Sequence, residues 1–234
     1  MILLWTKYTV LTIRLIGVLE LDVKPVKKSF FNEPTLELAK KLLGCLLVNI
    51  NDEGMTAGYI VETEAYLGPK DEAAHSYKNR RTKRTEILFG EAGYCYAHAM
   101  HTHTLINVTS GEINQPEGVL IRALEPYAGV QLMKKRREIE NIQLLTNGPG
   151  KLTKALSITM DSYGLPFFEK PLFISESRYK PEKICTGGRV GISKDQERPW
   201  RFWIENNMFV SKGRKNWNPV LAATTNSPLR IESE

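Results

Sequence analysis

Apolar and polar positions change their period several times along this chain, and each change marks an element. From Glu33 to Val48, apolar residues recur at helical spacing through PTLELAKKLLGCLLV, which predicts a helix whose end, CLLVNI, already reads as a strand. NDEG at Asn51–Gly54 is a turn. AGYIVETEAY follows and is rich in β-forming residues. A strand there puts Glu62, Glu64 and Tyr66 on one face and Val61, Thr63 and Ala65 on the other. A polar stretch, Leu67–Arg84, separates it from a second β region, Tyr94–Val108, and from a third strand, Gly118–Pro126. Gly129–Glu140 reads as a basic helix, and TNGPGKLTKAL as a Gly-Pro-Gly turn opening another. The last third alternates turns with short β-like runs, PLFIS, RVGIS, WRFWIE and MFVS. Regular βαβ alternation is missing, so one mixed α+β domain with an antiparallel sheet at its centre is expected.

The ends look different. MILLWTKYTVLTIRLIGVLELDV is apolar, but Lys7, Arg14 and Glu20 interrupt it, which leaves no run long enough for a membrane-spanning helix. A basic start and a small-residue cleavage site, the marks of an export signal, are not evident. Residues 1–24 are expected to be an extension, 25–212 the domain, and 213–234 a polar tail. The chain has 234 residues and a net charge of +6, and a basic excess raises the prospect of a polyanionic partner. Its three cysteines, Cys45, Cys95 and Cys185, form no Cys-x-x-Cys pair. They argue against a disulfide framework or a four-Cys cluster and fit a reducing, cytoplasmic setting.

Three short stretches carry candidate chemistry. HAMHTHTLIN holds three of the four histidines, His98, His101 and His103, and raises a metal-dependent hydrolase with Glu64 as base. On strand geometry His101 and His103 share a face, while His98 takes the other unless a bulge intervenes. GPGKLT lacks the Gly and the Ser or Thr of a Walker loop, Leu145 and Leu152 standing in their places, although a helix start with Lys151 could hold a backbone phosphate. Glu62 and Glu64, two apart on a strand, crowd like charges. Crowding of that kind raises one carboxyl into the range useful to a general base.

VETEAYLGPKDEAAHS, LINVT, GVLIRALEP, NGPGKLTKAL and RVGIS, in this order over about Phe30–Ser211, resemble the alkyladenine (3-methyladenine) DNA glycosylase family, monofunctional enzymes that excise damaged purines. The resemblance implies a curved, mostly antiparallel, partly open and barrel-like sheet flanked by helices, with a protruding β-hairpin. It implies hydrolysis of an N-glycosidic bond in double-stranded DNA with no cofactor; a monomer is the simplest expectation, and the missing export signal with a bacterial-looking resemblance points to the cytoplasm, in association with the nucleoid. Glu64 would deprotonate the attacking water and Arg122 would place it. Tyr66 and His75 would sandwich the flipped base, and Asn107 would collide with the amino group of normal guanine. The tyrosine-rich hairpin of the better-known members is replaced here and is one residue shorter. His98 falls at the pocket-closing position, and Met100 or His101 at the wedge that fills the vacated stack. Arg80, Arg81, Lys83 and Arg84 are candidates for phosphate contact, and so is the KKRR run of the basic helix unless it is only a solvated face. No lysine lies in VETEAY or LINVT, so lyase chemistry is not expected. A third class, a DNA-binding protein without catalysis, would tolerate loss of Glu64.

Overall fold

The computed structural model describes residues 23–176 and 179–211; the expected extension up to Asp22 and the expected tail beyond Ser211 lie outside the described residues. The described chain is a single α+β domain built on one antiparallel sheet. Its strands are β1 (Leu46–Asn51), β2 (Gly54–Tyr66), β3 (Cys95–Met100), β4 (His103–Ser110), β5 (Glu117–Ala128), β6 (Leu172–Ser175), β7 (Ile184–Gly187) and β8 (Arg201–Ile204). The path runs β3-β4-β5-β2-β1-β6, with β8 added between β2 and β7, and the sheet does not close into a barrel. Three α-helices accompany it, α1 (Thr35–Lys41), α2 (Val130–Arg137) and α3 (Pro149–Leu156).

Strand β2 is the hub. One of its edges pairs with β5 along most of its length. The other pairs with β1 through its first half and with β8 around Glu62–Glu64. Ile60, Val61, Ile106, Val108, Ile121 and Leu124 are buried in the core, with Leu38 and Ala39 of α1 and Leu152 and Leu156 of α3. Helix α3 shows why its sequence is helical. Pro149 starts it, and Leu152, Ala155 and Leu156 recur at the three- and four-residue spacing of one buried face. Thr153 fastens it to the sheet by donating to the Thr104 carbonyl at 2.7 Å.

The structure alters several sequence expectations. The helix read from Glu33 stops at Lys41. Gly44 takes φ +85°, and a Cβ there would lie 2.7 Å from the Tyr179 carbonyl, so the chain turns before β1. RVGIS and MFVS are not strands. Three of their backbone N–H groups go to side chains instead of a ladder: Val190 donates to Glu64, Phe209 to Asn207 and Ser211 to Glu62. Strand β7 was not foreseen, because ICTG offers little alternation of apolar residues. The basic run of α2 is largely tied down. Lys134 pairs with Glu140, Arg136 with Glu53 and the Ala155 carbonyl, and Arg137 with the Leu145 carbonyl.

Glu62 fastens β2, β5, β8 and the segment ending at Ser211 together in the interior, where it is fully buried. Its Oε1 accepts from Arg122 Nε at 3.1 Å, Arg201 Nε at 2.7 Å and Ser211 Oγ at 2.8 Å. Its Oε2 accepts from the Ser211 N–H at 2.6 Å. Every partner is a donor, so an amide in place of the carboxylate must turn its NH2 towards a donor and leave two guanidinium groups undercompensated. Glu62→Gln is therefore expected to destabilise the fold by about 3 kcal/mol, read as a lower urea midpoint at unchanged slope. An unchanged midpoint would contradict this anchoring role.

Candidate active site

Strand register assembles the site. Glu64 on β2, Leu120 on β5, Asn107 on β4 and Tyr96 on β3 are successive partners across the sheet. Directly paired residues of antiparallel strands present their side chains to the same face. The neighbouring row brings Tyr66 opposite Gly118, and on β3 the period of two adds His98 and Met100 to the face of Tyr96. A cavity of about 90 Å³ opens on this face, lined among others by Tyr66, His75, Tyr96, His98, Met100 and Asn107. Glu64 adjoins it through Tyr66, whose hydroxyl donates to Glu64 Oε2 at 2.9 Å.

Glu64 is fully buried. Its Oε1 accepts from the Val190 N–H at 2.7 Å, and its Oε2 also accepts from Arg122 Nη1 at 3.3 Å. Burial pushes its carboxyl above the ordinary carboxylate range; Arg122 and the Val190 N–H pull it down, Glu62 pushes it up, and Tyr66 again pulls it down. Burial also opposes the charge on Arg122, but Glu64 and Glu62 together outweigh that and hold it firmly protonated. Arg122 occupies a β-bulge, skipped in the pairing between Ala123↔Glu62 and Ile121↔Thr63. The irregularity lets one guanidinium reach both carboxylates.

The cavity wall is made of neutral rings. His75 Nδ1 shares a 2.8 Å hydrogen bond with the Tyr96 hydroxyl, and His98 Nδ1 lies 3.3 Å from the amide nitrogen of Asn107, which donates. His98 stacks on Tyr96 with centroids 5.0 Å apart and meets His75 edge-on at 4.8 Å. Burial, with Arg84 and Arg80 adding to it, lowers His75 from 6.5 to about 4. Burial, His75 and Arg84 lower His98 from 6.5 to about 3. Both are uncharged at neutral pH, so this wall presents aromatic surface without positive charge.

The three clustered histidines part company. His98 is buried in the cavity wall, His101 sits exposed in the hairpin turn with φ 52°, and His103 faces Gly150 of α3, where a Cβ would lie 2.7 Å from that of His103. No bulge intervenes; the two-residue turn places Met100 opposite His103, and strand parity does not carry through it. Among the described residues no group of three or more His, Cys, Asp or Glu is gathered as a metal site. Met100 is 46% exposed at the hairpin end beside His101. Of the basic candidates, Arg80 and Lys83 are exposed. Arg81 pairs with Glu86 at 2.6 Å, Arg84 Nη2 lies 3.1 Å from His75 Nε2, and Lys151 donates to Asn147 at 2.7 Å. Sequence reading did not single out Tyr96, Asp71 or Arg189. Tyr96 could have been found from its spacing of two from His98; Asp71 and Arg189 lie inside motifs but reveal their pairing only in three dimensions.

The sequence profile of the methylpurine-DNA glycosylase family matches residues 29–208. A Bacillus licheniformis protein provisionally named 3-methyladenine DNA glycosylase is 58% identical over 192 residues, covering 81% of this chain and 97% of the relative. A Bacillus subtilis protein of the same name is 56% identical over 194 residues, 82% of this chain and 98% of its own. One from Staphylococcus carnosus is 44% identical over 191 residues, 80% of this chain and 93% of its own. The chain belongs to the methylpurine-DNA glycosylase family, DNA-repair hydrolases that act on N-glycosyl bonds. No helix of the described residues is long and apolar enough to cross a membrane.

The buried histidines have a consequence for acid stability. The unfolded chain takes up protons at these positions below about pH 6.5, whereas the folded chain resists until about 4 and 3. Their contribution is therefore complete above pH 6.5 and is lost as pH falls below it, by roughly 1–2 kcal/mol per histidine at pH 5. In urea unfolding at pH 7.5 and pH 5, His98→Gln is expected to lose less stability on acidification than the wild type. Equal losses would contradict the assignment.

Proposed function

We propose that this chain removes alkylated purines from duplex DNA by hydrolysis, with Glu64 as the base. The damaged nucleotide turns out of the stack and its base enters the cavity between Tyr66 and the histidine wall. Ionised Glu64, held by Arg122, takes a proton from a water that attacks the sugar carbon. The glycosidic electron pair leaves with the base, and an abasic site in an intact strand remains. The same carboxylate stabilises the positive charge that develops on the sugar. The observation that carries this reading is a fully buried carboxylate, held by three donors, at the edge of a cavity walled by neutral rings.

Selectivity follows from the same chemistry. A methylated, cationic purine needs no proton to depart, and it gains from an aromatic wall. Asn107, whose amide donates to His98 and which lines the cavity, is assigned the role of barring the amino group of unmodified guanine. Met100 or His101 at the hairpin end fills the gap in the stack, and Arg80 and Lys83 meet phosphates. No lysine is among the residues lining the cavity, which favours hydrolysis over an amine-linked intermediate.

Release of methylated purines from alkylated duplex DNA, measured in EDTA, tests the reading. The wild type is expected to release base, and Glu64→Gln to bind the same duplex while its excision rate falls about 100-fold or more. Release that EDTA abolishes and zinc restores, or a Glu64→Gln rate equal to wild type, would overturn it.

A further inference from the structure

Two of the three donors on Glu64 lead to one buried ion pair away from the reacting groups. The Val190 N–H belongs to the residue after Arg189, and the ring of Tyr66 lies 4.7 Å from the Arg189 guanidinium carbon. Trp200 lies against the same guanidinium at 5.0 Å, so Arg189 is stacked against both rings. Its Nη1 and Nη2 form a two-pronged pair with Asp71 at 2.6 and 2.8 Å, and Nη1 also donates to the Ala65 carbonyl at 3.1 Å. Both side chains are fully buried. Asp71 also accepts from the Leu67 N–H at 3.1 Å and from the Ala73 N–H at 3.0 Å, which fixes the turn that carries His75. One pair thus spans the end of β2, the turn with His75 and the loop with Val190.

The arrangement is not the one that hydrogen bonding alone would select. Arg189 Nε is buried without an acceptor, a placement that costs stability. The planar fork explains why it is tolerated: a guanidinium can chelate a carboxylate in its plane while its faces rest on aromatic rings. An ammonium cannot do both.

We infer that the Asp71–Arg189 pair is a positioning device for Glu64, holding the Tyr66 hydroxyl and the Val190 N–H on its carboxylate and thereby setting the fraction of Glu64 that is ionised. The inference rests on Glu64 as the base for its catalytic meaning, but not for its physical test. Arg189→Lys keeps the charge and loses the fork and the stacked plane. Two of the hydrogen bonds that favour the ionised form then weaken, and the Glu64 carboxyl should titrate at higher pH.

The direct experiment is a 13C titration of the glutamate carboxyls of the whole protein, with the Glu64 resonance assigned by its loss in Glu64→Gln. In Arg189→Lys the midpoint is expected to move up by about one pH unit, while kcat at pH 6 falls several-fold more than at pH 8 and KM for alkylated duplex stays within about twofold. Trp200→Leu removes one wall of the stack and leaves the ion pair. It should move the midpoint in the same direction by less, and it decides the matter if Arg189→Lys does not fold. A midpoint that stays in place in the folded variants overturns the inference, whatever the activity does, because a purely structural pair would change stability alone. If the midpoint moves but the wild type releases no base, the positioning role stands and the glycosylase reading falls.

Discussion

A carboxylate buried away from bulk solvent needs positive charge brought in with it. Arg122 supplies that charge, and much of the interior is arranged around it. One guanidinium bridges Glu62 at 3.1 Å and Glu64 at 3.3 Å, and Arg201 completes the compensation on Glu62 at 2.7 Å. Asp71 and Arg189 form a further buried couple beside them. Glu62, Glu64 and Asp71 are each matched by an arginine, whose delocalised and weakly hydrated charge loses less on burial than an ammonium would. Breaking one partner of such a set costs far more than the set contributes as a whole. The site and the fold are therefore not separable: Glu62, which does not line the cavity of the site, holds the strands that aim Glu64.

This division of labour explains two neighbouring glutamates on one strand. Glu62 is saturated by four donors and serves as an internal anchor. Glu64 has fewer, and burial leaves its proton affinity raised. A raised proton affinity is what the proposed role of accepting a proton from water calls for. The histidines are treated in the opposite sense. His98 is buried and His75 half-buried, with Arg84 close by, and both remain neutral rings. The result is a cavity with charge behind it and polarisable, uncharged surface around it.

Much of this was legible in the sequence, for reasons that can be named. The alternation in VETEAY put Glu62, Glu64 and Tyr66 on one face, and the ladder of β2 keeps that order. The Gly-Pro-Gly start and the helical spacing in PGKLTKAL gave α3. Where pattern failed, side chains had captured the backbone. RVGIS and MFVS look like strands, but Val190 and Ser211 give their N–H groups to buried carboxylates. The histidine cluster misled for a related reason. Parity along a strand does not survive a two-residue turn, and HAMHTHT folds back on itself between Met100 and His103. The pairing of Asp71 with Arg189, 118 residues apart, left no mark that a local pattern could show.

The central claim is that a buried, arginine-held Glu64 must lose its proton before the glycosidic bond can be cut. The most direct measurement is the single-turnover rate of 7-methylguanine release from duplex DNA between pH 4 and pH 8. The account predicts a rate that rises with pH through one ionisation, whose midpoint lies above the ordinary glutamate value of about 4.3. A rate that is flat across this range, or that climbs towards acid, would contradict it.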